Sequence, residues 1–128
     1  MVNANHELLW VNDAFAHLVG HLAKTLVGKT FASITHPEDI DLDRALAKRL
    51  LAGELDHYEM EKRYIHRDKS IVPVHLTFSA VRDRRGKTIY GVATVEQIPT
   101  AARLTVRADS PLTDEEREMA RIRRAMLG

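Results

Sequence analysis

A two-residue alternation in the middle of the chain constrains the fold more than any other feature. In the segment IVPVHLTFSAV, residues 71–81, apolar side chains occupy every second position. Successive side chains of a β-strand point to opposite faces of its sheet, so this pattern predicts a strand with one buried face. The buried face is predicted to carry Val72, Val74, Leu76, Phe78 and Ala80. The other face is predicted to carry Pro73, His75, Thr77 and Ser79.

Two further strands are predicted on either side of this one. HYEMEKRYIH, residues 57–66, precedes it, and KTIYGVATVEQI, residues 87–98, follows it. The short polar segments RDKS and RDRRG separate the three strands and are typical of tight turns. Three consecutive strands joined by tight turns form an antiparallel meander.

The N-terminal half of the sequence predicts one strand and several helices. ELLWVN, residues 7–12, is a short apolar segment typical of a strand. Asn12 and Gly20 suit the start and the end of a short helix over DAFAHLVG. Two single-turn helices and a longer helix, which ends at Gly53, are predicted before the meander. The predicted fold class is therefore α+β: an antiparallel sheet with helices on one face, followed by a C-terminal helix.

The segment THPEDIDLD, residues 35–43, has two interpretations. Imidazole and carboxylate groups bind metals, so His36, Glu38 and Asp39 are candidate ligands. Alternatively, the segment starts the long helix, because Pro37 suits the first turn and acidic residues favour the helix N-terminus. We favour the helix start and predict no metal site. In that case His36 is expected to hydrogen-bond nearby backbone, and Asp41 and Asp43 are expected to be solvated.

Composition excludes several classes of function. The net charge is +1, from 19 basic and 18 acidic residues, which gives no electrostatic reason to expect nucleic acid or a membrane surface as a partner. The absence of cysteine excludes disulfides, thiolate metal sites and cysteine nucleophiles. No catalytic motif is present, so we expect no enzymatic activity. The N-terminus is not a signal peptide, and we expect a cytoplasmic protein.

Three segments in succession carry a resemblance to a known family. They are ELLWVNDAFAHLVG (residues 7–20), LVGKTFASITHPEDID (26–41) and the meander (58–98). Together and at this spacing they resemble the PAS family, of the PAS/PAC or S-box type, over residues 3–98. Two departures stand out. The turn glycine usual in the family is replaced by Lys69, and only Met1 and Val2 remain of a first strand that lies centrally in the sheet of that family.

The resemblance places a cavity between the helices and the inner sheet face. The candidate pocket residues on the sheet are Met60, Tyr64, Val74, Leu76, Phe78, Gly91, Ala93 and Val95. Those on the helical side are Phe15, Leu18, Leu26, Phe31 and Ile40. Either these side chains simply fill a core, which we favour, or the small residues Gly91 and Ala93 leave room for a small apolar ligand, with Tyr64 as its polar anchor.

The cofactor is unknown from the sequence. Haem in this family is held by a histidine in or near the long helix, and His57 is the nearest candidate, although we do not favour haem. Adduct-forming flavin chemistry needs a cysteine, which is absent. His17 and His21 have a spacing that could chelate a metal, but Gly20 breaks the helix between them and two surface histidines are the favoured interpretation.

The resemblance implies a sensory or signalling module that forms homodimers. The outer sheet face is expected to present Trp10, His75, Thr77, Tyr90 and Val92, and exposed apolar groups of this kind favour a partner surface. A second copy or a signalling partner protein would bind there. The alternative function is a small-molecule receptor domain of a signal-transduction protein, and a degenerate enzyme fragment is a weaker third interpretation.

The remaining sequence divides into residues 99–112, a linker or additional strand, and residues 113–128, a helix. ARLTVRAD, residues 102–109, alternates like a half-buried strand and is predicted to replace the lost first strand. It could do so within its own chain or in a second subunit; alternatively, Pro99 starts an extended linker. Thr113 and Glu116 form a capping-box pattern. Either this segment is a solvated tail, or the apolar stripe Met119, Ile122 and Met126 packs on the sheet or on a second subunit.

Overall fold

The alternating segment forms the middle strand of an antiparallel meander, as its pattern predicts. The computed structural model describes residues 1–100 and 104–125. The strands are β1 (His57–Ile65), β2 (Ile71–Arg82), β3 (Thr88–Gln97) and β4 (Val106–Ala108). They form one sheet in the order β3–β2–β1–β4, and all paired strands are antiparallel.

Helices precede and follow the meander. They are α1 (Asp13–Val19), α2 (Ala23–Leu26), a 3₁₀ turn (Phe31–Ile34), α3 (Pro37–Leu51) and α4 (Asp114–Ala125). The predicted ends of α1 are confirmed: the Asn12 side chain accepts a hydrogen bond from the Phe15 N–H at 2.9 Å, and Gly20 ends the helix at φ 74°. The fold is therefore the predicted α+β arrangement.

The core lies between the inner sheet face and α3. Val72, Val74, Leu76 and Phe78 are buried on β2, while the alternate residues are partly exposed. Leu42, Leu46 and Leu50 of α3 are also buried, because the helical spacing of these residues places them on one face. The hydrophobic effect on these two faces holds the helix against the sheet.

The predicted strand over residues 7–12 does not form. Glu7 and Leu8 make only isolated bridges, to Thr30 and Val2 respectively, and Val2 in turn pairs with Gly91 of β3. A strand needs a partner along its length, and in the described residues Leu8 has only Val2 opposite it. Val2 is also the one described residue that pairs with the free side of β3.

The predicted strand within residues 102–109 forms, but the prediction of its position was wrong. β4 pairs with β1, Met60 opposite Val106 and Tyr58 opposite Ala108. It therefore extends the edge of the sheet that lies opposite the gap. Leu104 lies just before β4, and its side chain is buried. Its φ of 43° is in the left-handed region and differs from the extended backbone of the strand that follows. Residues 101–103 lie outside the described part of the chain.

The C-terminal helix forms with the predicted cap but packs differently from the prediction. The Thr113 N–H donates to Glu116 Oε1 at 2.9 Å, and the Glu116 N–H donates to Thr113 Oγ1 at 3.1 Å. The helix lies on α3 rather than on the sheet. Its buried residues are Glu116, Ala120 and Arg123.

The apolar stripe predicted for α4 is therefore not its main contact face. Met119 is partly buried, Ile122 is 42% exposed, and Met126 lies outside the described residues. Packing of the stripe on the sheet is not observed, because charged residues form the contact with α3: Arg49 and Asp39 are the partners of Glu116 and Arg123. Packing of the stripe on a second subunit stays a prediction.

Candidate ligand cavity and its buried charges

A cavity of about 500 Å³ lies between the N-terminal segment, α1 and the inner face of the sheet. Of the predicted pocket residues, the following line it: Phe15, Leu18, Phe31, Tyr64, Leu76, Phe78, Ala93 and Val95. It opens towards the free side of β3, where the lining residues Trp10, Ala93 and Gln97 are exposed. Its volume is in the range typical of small-molecule sites.

The other predicted pocket residues are placed elsewhere. Leu26, Met60 and Val74 are completely buried in the packed core, and Ile40 lies partly exposed on α3. Gly91 does not leave room for a ligand, because the Phe78 ring occupies the space: a Cβ added at Gly91 would lie 2.2 Å from Phe78 Cζ. The space beside Gly91 on β3 is filled by the Phe78 side chain of the neighbouring strand β2.

The polar part of the cavity wall was not among the predicted pocket residues. Lys62, Asp43 and Tyr58 line the cavity, as do Val2, Leu8 and Val11 of the N-terminal segment. Alternation along β1 was a usable signal for Lys62, because Lys62 lies between Met60 and Tyr64, both of which were predicted to face inwards. A lysine at an inward position predicts a buried partner for its charge.

Lys62 is buried with its ammonium group paired. Its side chain is 1% exposed, and Nζ donates to Thr35 Oγ1 at 3.0 Å and to the Asp43 carboxylate. Nζ also lies 4.5 Å from the centre of the Tyr64 ring, within cation–π range. Burial, the largest single effect, lowers the pKa of Lys62, but attraction to Asp43 and Tyr64 outweighs it and the pKa lies above its ordinary value.

Asp43 is buried in the same cluster, so the prediction that it is solvated was wrong. Tyr58 Oη donates to Asp43 Oδ1 at 2.7 Å, while Oδ2 accepts from Lys62. Burial, together with the Asp43 charge, raises the pKa of Tyr58 well above its ordinary value, which keeps the phenol protonated. Asp43 lies on the inner side of α3, where the helix faces β1; Asp41 is exposed as predicted.

A second buried cluster lies one helical turn earlier on α3. Asp39 accepts three hydrogen bonds from Arg63, from the backbone N–H at 2.8 Å, Nε at 3.0 Å and Nη2 at 2.7 Å. Arg123 of α4 approaches the same carboxylate, with Nη1 at 3.4 Å from Oδ1. Since residues four apart share one helix face, the two clusters adjoin along α3.

The helix-start interpretation of residues 35–43 is confirmed. His36 Nδ1 accepts from the Glu38 N–H at 3.1 Å, which caps α3. Within the described residues, no group of three or more His, Cys, Asp or Glu side chains is arranged to hold a metal ion. Asp39 and Asp43 instead serve as partners of buried cations.

The remaining candidate residues lie away from the cavity. His57 is at the exposed start of β1, with Nδ1 3.9 Å from Asp109 Oδ2. His17 and His21 line a shallow surface depression beside His66. Tyr64, the predicted polar anchor, does line the cavity, and its ring meets that of Phe15 edge-on at a centroid distance of 5.3 Å.

The predicted interface residues do not form one surface. His75, Thr77, Tyr90 and Val92 of β2 and β3 are partly exposed, and Trp10 is 58% exposed. Trp10 and Val92 also line the cavity. The register puts Thr77 opposite Thr94, and Val81 opposite Tyr90, on the outer face. Met119 and Ile122 lie on α4, which packs on α3 at the inner side of the sheet, so they do not extend this outer surface.

The sheet order, the helix arrangement and the cavity define the class of fold to which the chain belongs. Residues 8–95 match the family model described as PAS fold, which covers more than half of the chain. The chain therefore belongs to the PAS fold family, as its sequence motifs indicate.

Individual relatives agree with this assignment. The chain is 35% identical over 98 residues to the probable diguanylate cyclase DgcE of Escherichia coli (strain K12), which covers 77% of this chain and 9% of that protein. The chain thus spans about a tenth of the length of this curated relative.

Solved structures share the fold at low sequence identity. A PAS domain from Colwellia psychrerythraea matches with a TM-score of 0.67 at 12% identity, over 75% of this chain and 80% of that one. The PAS-B domain of Drosophila melanogaster Cycle with bound ethylene glycol matches with a TM-score of 0.64 at 16% identity, over 76% and 95%. Vibrio cholerae VqmA bound to DPO matches with a TM-score of 0.61 at 18% identity, over 79% and 51%.

None of the helices in residues 1–100 and 104–125 has the length and apolar character needed to cross a membrane.

Proposed function

We propose that this chain is a sensory module of a signalling protein and that it binds a small molecule in the cavity beside β3. The observation that carries the proposal is the cavity itself, which has an apolar wall and one buried polar cluster, formed by Lys62, Asp43 and Tyr58. Small-molecule sites are commonly apolar concavities with a few convergent polar groups.

The relatives support the same role. DgcE is named as a probable diguanylate cyclase, and the matching part covers only 9% of its length. We infer that catalysis in a protein of that kind resides outside the region shared with this chain. The VqmA structure is described as bound to DPO, which supports a receptor role for the shared fold. In this chain the corresponding role would be to couple ligand binding to a signalling partner.

Native mass spectrometry of the purified full chain tests ligand binding. We expect a population that carries a small additional mass, which is released on denaturation. Ala93 lines the cavity mouth, so an Ala93→Phe variant should occupy the ligand space and lose that mass. Glu96→Phe is the matched control, because Glu96 pairs with His75 on the outer face of the same strand. An identical extra mass on both variants would contradict binding in this cavity.

A homodimer is a second proposed function, and a specific observation favours it. The free side of β3 pairs only at Gly91 among the described residues, so the edge beyond Ala93 offers backbone groups to another strand. Trp10 beside it is 58% exposed and Ile89 is 54% exposed. Open strand edges with exposed apolar groups favour association with another chain.

Sedimentation at tens of micromolar protein tests the dimer. We expect a dimer that Tyr90→Lys dissociates, because it adds a charge to the outer face at a residue that does not line the cavity. Thr25→Lys adds the same charge on α2 and should leave the dimer intact. A monomeric wild-type chain would contradict the homodimer, and the outer face would then remain a candidate surface for a different signalling partner.

A further inference from the structure

The ammonium group of Lys62 directs one of its donors at the aromatic part of the cavity wall. An ammonium has three N–H donors. Two acceptors are present among the described residues, Thr35 Oγ1 at 3.0 Å and the Asp43 carboxylate. The third donor lies beside the rings of Tyr64 and Phe31, which are 4.5 and 5.5 Å away and line the same cavity. The Tyr64 side chain also interacts with the ammonium group, so a ligand atom with a lone pair would compete with Tyr64 for this donor.

The charge on Lys62 is already balanced. The Asp43 carboxylate accepts from Lys62 on one oxygen and from Tyr58 on the other. An anionic ligand at Lys62 would bring a second negative charge next to Asp43, where little water screens the repulsion. A cationic ligand would lie next to the ammonium group itself. The electrostatics of the cavity wall therefore favour a molecule without net charge.

The rest of the wall defines the body of the ligand. Phe15, Leu76, Phe78 and Val95 line the space around the polar cluster, and the edge-on pair of Phe15 and Tyr64 provides an aromatic surface. Such a wall stabilises apolar and aromatic groups by burial and ring contacts.

We propose, on the basis of the proposed ligand-binding function, that the cavity accepts an uncharged molecule with an apolar or aromatic body and one hydrogen-bond acceptor directed at Lys62. A carbonyl oxygen or a ring nitrogen has the required chemistry. Lys62 acts as the specificity-determining residue: it selects for the acceptor, while Asp43 selects against an anion.

Three probes of similar size test this inference on the full chain. Acetophenone is uncharged and has one acceptor, ethylbenzene has no acceptor, and benzoate is an anion. Dissociation constants are measured by NMR titration at neutral pH. We expect acetophenone to bind about tenfold more tightly than either of the other two, because a hydrogen bond to a charged donor is a strong one.

A double variant, Lys62→Met with Asp43→Asn, isolates the polar cluster. Both charges are removed together, so no unpaired charge remains buried. We expect acetophenone and ethylbenzene to bind this variant with dissociation constants within about twofold of each other. If the variant does not fold, the three-probe comparison on the wild-type chain decides the question alone.

The outcomes separate this inference from the proposed function. Equal binding of acetophenone and ethylbenzene to the wild-type chain, or tightest binding of benzoate, would overturn the ligand class and leave ligand binding intact. Binding of none of the probes, together with no retained mass in native mass spectrometry, would overturn both.

Discussion

Arg123 of α4 and Asp39 of α3 are paired in the interior, with Nη1 3.4 Å from Oδ1 and both side chains at most 1% exposed. Asp39 is already bound by Arg63, whereas Arg123 donates one hydrogen bond, from Nη2 to the Leu104 carbonyl at 2.7 Å. Its Nε and Nη1 have no hydrogen-bond partner among the described residues. Arg123, which connects α4 to α3, is therefore buried with only some of its hydrogen-bond donors paired.

This difference between Asp39 and Arg123 predicts that replacing the two residues lowers the free energy of unfolding by different amounts. Asp39→Asn leaves the buried Arg123 without an anion and Arg63 with Glu38 alone, and it should lower the free energy of unfolding by about 3 kcal/mol or more. Arg123→Met removes a charge whose donors are partly unsatisfied and should change it by less than about 1.5 kcal/mol. Urea unfolding measures both. A larger loss for Arg123→Met than for Asp39→Asn would contradict this description of the network.

The capping box predicts that Glu116 contributes more to α4 than its acidic neighbour does. Glu116 Oε1 accepts from the Thr113 N–H and from Arg49 Nη1 at 2.7 Å, whereas Glu115 is exposed. Glu116→Ala should cost about 1–3 kcal/mol of unfolding free energy, because it removes the cap and leaves Arg49 unpaired. Glu115→Ala is the control and should cost less than about 0.5 kcal/mol.

Removal of the whole helix tests its packing on α3. Deletion of residues 113–128 exposes the α3 face and removes the Arg49–Glu116 pair, so the melting temperature should fall. An unchanged melting temperature would show that α4 does not stabilise the domain.

The close approach of Gly91 and Phe78 predicts a severe effect of one added methyl group. Gly91→Ala places Cβ 2.2 Å from the ring and should destabilise the domain by about 1–3 kcal/mol through overpacking. A second change, Phe78→Leu, removes the clashing ring atoms, so the double variant should be more stable than additivity predicts. Strict additivity of the two effects would show that the contact is not the cause.

Lys69 occupies the turn position where the family usually has glycine, and its φ is 77°. A side chain in this left-handed region costs about 1 kcal/mol. Lys69→Gly should therefore raise the free energy of unfolding by roughly 0.5–1 kcal/mol, after the extra unfolded-state entropy of glycine is subtracted. Lys69→Ala keeps the strain and should leave stability nearly unchanged; equal effects of the two variants would exclude relief of strain as the cause.

Local patterns predicted the meander, the caps and the helix starts, because these depend on neighbours in sequence. The alternation at Val72–Phe78 specifies a buried face whatever lies beside it. By contrast, the alternation at Leu104 and Val106 predicts a strand but not the strand with which it pairs. That choice depends on which edge of the sheet is free and within reach of the segment, and β4 joins β1. The strand predicted at residues 7–12 likewise depended on pairing that its own pattern does not encode, and only isolated bridges form there.

The candidate site was predictable in its apolar part and not in its polar part. Alternation placed Tyr64, Leu76 and Val95 towards the cavity. The prediction that Asp43 is solvated is wrong because its partner, Lys62, lies across the core on β1. Buried ion pairs join residues far apart in sequence, here 19 positions, so local patterns do not reveal them.

The most direct test of ligand binding in the cavity is a set of intermolecular nuclear Overhauser effects between acetophenone and the full chain. The account predicts contacts from the probe ring to Phe15, Leu76 and Val95, which line the cavity from α1, β2 and β3. Contacts confined to the outer-face residues Thr77 and Tyr90, or none in a saturated sample, would contradict it.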